Sequence, residues 1–244
     1  MTVGSLFSGI GGFDLGLERA GMTIKWQVEI DDFCNKVLEK HWPRVKRYRD
    51  IKELRGDELE PVDLICGGFP CQPFSAAGKR RSKEDDRYLW PEMLRIIRAV
   101  RPTWIIGENV AGILSLALDD VLSDLESEGY TCQSFIIPAC AVNAPHRRDR
   151  IWIVAHTNGK HREESKSWNQ LEYSRKEEPF GRSMDESLWQ ETWLDAASRI
   201  CGVDDGLSRR LDANKRITAL GNAVVPQIVE IIGKAIIQTG QAGV

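Results

Sequence analysis

The sequence predicts a doubly wound α/β sheet, and three features predict it. Short β-like runs alternate with helical patterns from residue 3 to about residue 155, the order in which βαβ units build a largely parallel sheet. A glycine turn, Gly9-Ile10-Gly11-Gly12, directly follows the first run. The side chains able to do chemistry stand at the ends of β-like runs, where open α/β sheets bind ligands.

Taken in order, Val3 to Phe7 opens the sheet, and Phe13, Leu17 and Ala20 fall on one helical face that Gly21 can terminate. Ile24, Trp26 and Val28 alternate as a strand does, ending at Glu29, and Asp31 is placed to cap a helix carrying Phe33, Val37 and Leu38. The apolar run Val62-Asp63-Leu64-Ile65-Cys66 predicts the next strand. Leu89, Met93, Ile96, Ile97 and Val100 have helical spacing, and Thr103 to Ile106 follows as a buried strand. Leu114, Leu118, Val121, Leu122 and Leu125 describe another helix, stopped by Gly129. Phe135 to Ile137 and Ile151 to Val154 are the last two β-like runs, joined by a loop containing Ala144-Pro145.

Composition then divides the chain. Residues 1–155 are expected to form the main domain, and residues 156–213, polar and carrying Trp168, Trp189 and Trp193, read as either a small lobe or a partly mobile insertion. In residues 214–244 order returns at Ile217, and Val224, Ile228, Ile231, Ile232, Ala235 and Ile236 make an apolar helical stripe after Pro226. That stripe predicts a C-terminal helix packed back on the sheet. A chain of 244 residues with 42% hydrophobic content buries one substantial core. No run approaches the roughly 20 apolar residues of a membrane span and none resembles a signal peptide, so a soluble, intracellular protein is expected; a monomer is expected as well.

Six cysteines, Cys34, Cys66, Cys71, Cys132, Cys140 and Cys201, are scattered without a Cys-x-x-Cys pair beside only four histidines. This is poor spacing for zinc or a disulfide framework, and no metal is expected. The net charge of −3 argues against a general polyanion binder. Positive charge is concentrated in Lys79-Arg80-Arg81 with Lys83, Arg147-Arg148 with Arg150, and Arg209-Arg210 with Lys215-Arg216, which suits a phosphate-lined cleft.

Residues 67 to 75 read Gly-Gly-Phe-Pro-Cys-Gln-Pro-Phe-Ser. A lone cysteine is more often a core residue than a nucleophile, but Pro70 and Pro73 stiffen the backbone on either side of Cys71. Glu29, about 20 residues beyond the glycine turn, is placed to accept hydrogen bonds from ribose hydroxyls, and Asp50 before Ile51 is a candidate acceptor for an adenine amino group. No Lys-Ser or Lys-Thr follows the glycines, so the ligand need not be a triphosphate. A carboxylate-lined nucleoside pocket suits S-adenosylmethionine, while a dinucleotide or a purely structural turn stays open. Glu108 follows a strand and is a candidate acid or hydrogen-bonding group. Arg148 and Arg150, if extended, project to one side as two guanidinium forks.

The segments Phe-Ser-Gly-Ile-Gly-Gly, Gly-Gly-Phe-Pro-Cys-Gln-Pro-Phe-Ser, Glu-Asn-Val, His-Arg-Arg-Asp-Arg and Leu-Gly-Asn-Ala-Val-Val-Pro occur in the order found in DNA (cytosine-5)-methyltransferases. The chain resembles that family over roughly residues 1 to 155 and 214 to 238. The resemblance implies a Rossmann-like S-adenosylmethionine-dependent methyltransferase fold with a small polar recognition lobe. It implies that Phe7, Gly9, Gly11, Glu29, Asp50, Ile51, Leu89 and Asn222 surround S-adenosylmethionine. It further implies that Cys71 attacks carbon 6 of a flipped-out cytosine in double-stranded DNA, that Glu108 holds ring nitrogen 3, and that Arg148 and Arg150 stabilise the site. The setting implied is the cytoplasm of a prokaryotic or phage-infected cell, within restriction-modification. A transfer-RNA cytosine-5 methyltransferase and a non-turnover cofactor- or DNA-binding module needing a partner are the alternatives; no Cys-Phe-Thr signature in residues 157 to 213 supports the former.

Two departures stand out. His146 replaces the glutamine that commonly begins the family's arginine motif, and the target-recognition region is short. A short or relaxed DNA target, of two or three nucleotides, is therefore predicted. Base-resolution bisulfite sequencing of methylated plasmid checks this, and marks confined to a long, strictly defined site would contradict it.

Overall fold

The computed structural model describes residues 1–70, 88–144, 146–157, 215 and 218–241, with residues 240 and 241 described by backbone alone. Cys71 and the basic run at 79–83 lie outside these residues, as do Pro145, Trp168, Trp189, Trp193, Cys201, Arg209, Arg210, Arg216 and Ile217. Residues Met1–Gly159 with Ala219–Val244 make one compact unit, and Lys160–Thr218 a second.

In the first unit the elements run β1 (Thr2–Leu6), α1 (Gly12–Arg19), β2 (Thr23–Val28), α2 (Asp32–His41), β3 (Lys46–Tyr48), β4 (Leu64–Gly67), α3 (Trp90–Val100), β5 (Trp104–Val110), α4 (Leu118–Ser127), β6 (Tyr130–Pro138), β7 (Asp149–Thr157) and α5 (Pro226–Gln241). The strands form a seven-stranded sheet in the order β3-β2-β1-β4-β5-β7-β6. From β3 to β5 every pair is parallel, whereas β7 runs antiparallel to both β5 and β6. A parallel sheet needs helices on both faces, so its inner strands read as continuous apolar runs. Leu64, Ile65 and Cys66 are accordingly all fully buried.

Two apolar layers cover the sheet. Met93, Ile96 and Ile97 of α3 and Val121 and Leu125 of α4 pack on one face with Leu6, Ile65 and Ile105. On the other, Phe13 and Leu17 of α1 and Ile228, Val229 and Ile236 of α5 pack with Val3, Leu64, Ile106 and Trp152. A Cβ placed on Gly16 would stand 2.5 Å from Val229 of α5, so the two helices meet closely there. The Asp31 carboxylate accepts the amide of Cys34 at 2.8 Å and caps α2, a contact of about 1 kcal/mol.

The sheet departs from the sequence expectation in several places. β3 was not predicted; Lys46-Arg47-Tyr48 has no apolar alternation, and it becomes a strand by pairing with Trp26-Gln27-Val28. The strand β5 continues through Glu108, Asn109 and Val110 because each has an antiparallel partner on β7. Leu114 belongs to a 3-10 turn, Ala111–Ser115, ahead of α4, and is 45% exposed. Phe135 and Ile136 are exposed on the edge strand β6, and Ile231 is 60% exposed on the outer side of α5. Thr218–Thr239 is, by length and composition, apolar enough to cross a membrane, which the sequence reading did not expect. Its buried residues Ile228, Val229 and Ile236 pack on the sheet and α1.

Beneath the glycine turn lies a buried polar cluster. Asp14, Ser5 and Gln27 are all 0% exposed. Ser5 Oγ donates to Asp14 Oδ2 at 3.0 Å, and Gln27 Nε2 donates to Asp14 Oδ1 at 2.8 Å. Burial pushes the Asp14 carboxyl up to about 6, and the two hydrogen bonds oppose that rise. The folded chain therefore binds this proton more tightly than the unfolded chain, so the Asp14 contribution to stability is full below about pH 4 and is lost as pH rises through about 6. Asp14→Asn removes the titration. Between pH 4 and 7 the stability of the native chain relative to this variant should fall by ~3 kcal/mol, measured by urea unfolding at several pH values; a constant difference would contradict the assignment.

Candidate active site

The C-terminal ends of β1, β2, β4 and β5 converge on one edge of the sheet because these strands are parallel neighbours. The turn after β1 holds Phe7, Gly9 and Gly11 at φ of 51°, 56° and 86°. Glycine takes this left-handed region without the strain a side chain brings. Gly9 N donates to Glu29 Oε2 at 2.7 Å, and Asp31 N donates to Glu29 Oε1 at 2.8 Å, so the carboxylate after β2 is tied to the turn after β1. A Cβ on Gly9 would meet nothing within 4 Å, so the backbone there faces open space.

The apolar residues expected beside a nucleoside belong to or border one core cluster. Phe7 and Leu89 are half-buried and pack on the cluster that contains buried Ile51. Arg95 Nη2 donates to the Ile51 carbonyl at 2.6 Å and Nη1 to that of Leu54 at 2.8 Å, which fixes this segment against α3. Asp50 Oδ1 accepts the Lys52 amide at 2.9 Å, so that oxygen serves a local turn.

The second cluster surrounds Glu108. It is 9% exposed, and Arg150 Nε lies 2.9 Å from its Oε1. Glu108 and Arg150 stand two residues apart in the β5–β7 register, on the same face. Burial raises the Glu108 carboxyl above its ordinary value, and the Arg150 and Arg148 guanidiniums oppose that rise. A Cβ on Gly68 would stand 3.1 Å from Glu108 Oε2. The carboxylate is thus set against the backbone that leads into Pro70 and Cys71.

That backbone is anchored at both ends. Asn109, buried beside Glu108, donates from Nδ2 to the Phe69 carbonyl at 2.9 Å. The Phe69 ring packs on Trp90 with centroids 5.1 Å apart. Leu89 N donates to the Pro70 carbonyl at 3.2 Å, so these two residues are neighbours. Asn109 thus holds the Phe69 carbonyl, and sequence reasoning did not single it out; its signal was the polar pair Glu-Asn ending an apolar strand.

Arg148 differs from its expectation. Its φ of 39° breaks the extended backbone just before β7, so it does not alternate with Arg150 as a second fork. Its Nη2 donates instead to the carbonyls of Gly221 at 2.7 Å and Ala223 at 3.0 Å. These contacts bracket the exposed Asn222. The next residue, Val224, lies against Gly12, whose added Cβ would stand 2.7 Å from the Val224 carbonyl, and against Gly68. The Gly221–Pro226 stretch therefore connects the glycine turn to the Glu108 cluster. Cys71 lies outside the described residues.

The sequence of residues 1–196 matches the family described as C-5 cytosine-specific DNA methylase. The chain belongs to that family. Its similar relatives include Type II methyltransferase M2.BsuMI of Bacillus subtilis, 39% identical over 164 residues that make 64% of this chain and 42% of the relative. Type II methyltransferase M.HgiCII of Herpetosiphon aurantiacus is 35% identical over 155 residues, 61% of this chain and 36% of the relative. The matched part thus spans less than half the length of these curated relatives. Among solved structures, the S. pombe Dnmt2 methyltransferase superposes with a TM-score of 0.57 at 25% identity, covering 66% of this chain and 52% of that one. The fold is accordingly the Rossmann-like α/β fold of these methyltransferases. Among the described residues no group of three His, Cys, Asp or Glu side chains could hold a metal ion.

The buried pair yields a pH-dependent prediction. Arg150→Ala leaves Glu108 without its partner, which should cost roughly 3 kcal/mol at pH 8. The loss should be smaller at pH 5 than at pH 8, because protonation relieves an unpaired buried charge and burial already raises this carboxyl. Urea unfolding at the two pH values checks this, and an equal loss at both would mean that the arginine acts through packing alone.

Proposed function

We propose that the protein transfers a methyl group from S-adenosylmethionine to carbon 5 of cytosine in duplex DNA, through a covalent adduct on Cys71. The observation that carries this reading is the buried Glu108 carboxylate set 3.1 Å from a Cβ position on Gly68, three residues before Cys71. Family membership supplies its chemical context.

Phe7, Ile51 and Leu89 offer an apolar wall for the adenine ring, and Glu29 retains carboxylate lone pairs for the ribose hydroxyls. Asp50, Gly9, Gly11 and Asn222 complete the group assigned to the cofactor. This fits a nucleoside ligand, because open backbone at Gly9 adjoins a carboxylate fixed by two amides. When bound, S-adenosylmethionine supplies an electrophilic methyl group on a cationic sulfur.

Cytosine carbon 5 is too weakly nucleophilic to accept that methyl group unaided. The Cys71 thiolate adds to carbon 6, and the electron pair displaced through the ring is neutralised at nitrogen 3 by a proton from Glu108. The raised Glu108 carboxyl suits this task, since it holds a proton nearer neutrality than an ordinary glutamate. Carbon 5 would take the methyl group as its bond to the sulfonium sulfur breaks, the electron pair staying on sulfur. A base then takes up the carbon 5 proton, the thiolate leaves carbon 6, and nitrogen 3 returns its proton to Glu108, which restores the aromatic ring. Arg150 orients Glu108, and Arg148 holds the segment carrying Asn222. The cytosine must leave the stack, because carbon 6 is closed to a thiolate within a duplex. The reaction would take place in the cytoplasm, on DNA of the cell or an infecting phage.

Cys71→Ala should abolish methyl transfer while S-adenosylmethionine affinity changes less than about threefold. Incorporation of labelled methyl groups into DNA and into transfer RNA, with calorimetry for the cofactor, measures both. Turnover near wild type would exclude Cys71 as nucleophile, and labelling of transfer RNA alone would replace DNA as substrate.

A further inference from the structure

Asp14 touches no reacting group, yet it is a carboxylate at a position where the helical pattern of Phe13 and Leu17 calls for an apolar side chain. Burying a carboxylate is costly, and an apolar residue would avoid that cost. Gln27 Oε1 is also buried without a hydrogen-bond partner. Such expense fits a group retained to set geometry.

The bonds lead in two directions, both to the cofactor end of the sheet. From Asp14 one route passes to Ser5 of β1, whose carbonyl accepts Ser8 Oγ at 3.1 Å; the Ser8 carbonyl in turn accepts Gly11 N at 2.9 Å. The other passes to Gln27 of β2, two residues before Glu29. The routes rejoin where Ser8 N donates to the Val28 carbonyl at 3.1 Å and Gly9 N to Glu29 at 2.7 Å. We propose that Asp14 is a positioning residue of the cofactor pocket: through Ser5 and Gln27 it sets the spacing between the glycine turn and the Glu29 carboxylate. Its place in the first turn of α1 supports an anionic group there, because helix N-terminal amides favour negative charge. The proton-binding behaviour of Asp14 agrees with full burial of the cluster. The inference rests on the cofactor reading above.

Calorimetric titration of the full chain with S-adenosylmethionine, together with steady-state kinetics, tests it. Asp14→Ala should raise Kd and the cofactor KM by about tenfold or more, with kcat at saturating cofactor within roughly threefold. Asp14→Asn should recover most of the affinity, because a carboxamide can accept from Ser5 and donate to a rotated Gln27 amide. Leu17→Ala, a buried change on the same helix, should lower Tm and leave Kd unchanged. Wild-type Kd in folded Asp14→Ala, or an equal rise in Asp14→Ala and Leu17→Ala, would overturn the proposal. Should Asp14→Ala fail to fold, Ser5→Ala decides: a raised Kd supports the route through β1, and an unchanged Kd overturns it. Native protein that binds no S-adenosylmethionine would instead overturn the cofactor reading, and the proposal with it.

Discussion

The Glu108 carboxylate is buried against the Arg150 guanidinium at the line where the parallel part of the sheet meets an antiparallel pair. Reversing the direction of β7 places Arg150 beside the C-terminal end of β5 rather than at the opposite edge. A parallel strand in that position would carry its arginine away from the site. Low accessibility then governs how readily the carboxyl gives up its proton. Desolvation favours the neutral acid, the neighbouring guanidiniums favour the carboxylate, and desolvation prevails.

The same sheet end divides the work between two clusters. On the β1–β2 side the Glu29 carboxylate is tied to the backbone of the glycine turn at Gly9. On the β4–β5 side Asn109 and Trp90 hold Phe69, just ahead of Pro70. The Gly221–Pro226 stretch lies between the clusters, fixed by Arg148 at one point and by contact with Gly12 at another. The C-terminal segment is therefore part of the site as well as of the core.

Much of this was legible in the sequence, because inner strands of a parallel sheet are apolar on both faces and their ends are marked by glycine, proline or charge. Leu64-Ile65-Cys66 and Trp104-Ile105-Ile106 announce themselves in that way. Lys46-Arg47-Tyr48 does not, since a short edge strand is defined by its partner and not by its own pattern. The positions of Glu29 and Glu108 could be read from the strands before them. Arg148 could not, because its left-handed backbone turns it towards residues more than seventy positions away. Asp14 was hidden for a similar reason: its two partners come from β1 and β2, and only the tertiary fold brings them together.

The central claim is a covalent bond between Cys71 and carbon 6 of a cytosine. DNA carrying 5-fluorocytosine tests it most directly, because fluorine leaves no proton to remove from carbon 5 after methyl transfer. Incubation with the protein and S-adenosylmethionine, followed by denaturing electrophoresis and peptide mass spectrometry, should reveal a stable protein–DNA adduct on the peptide containing Cys71. An enzyme that methylates ordinary DNA yet forms no such adduct, or forms it on another residue, would contradict the account.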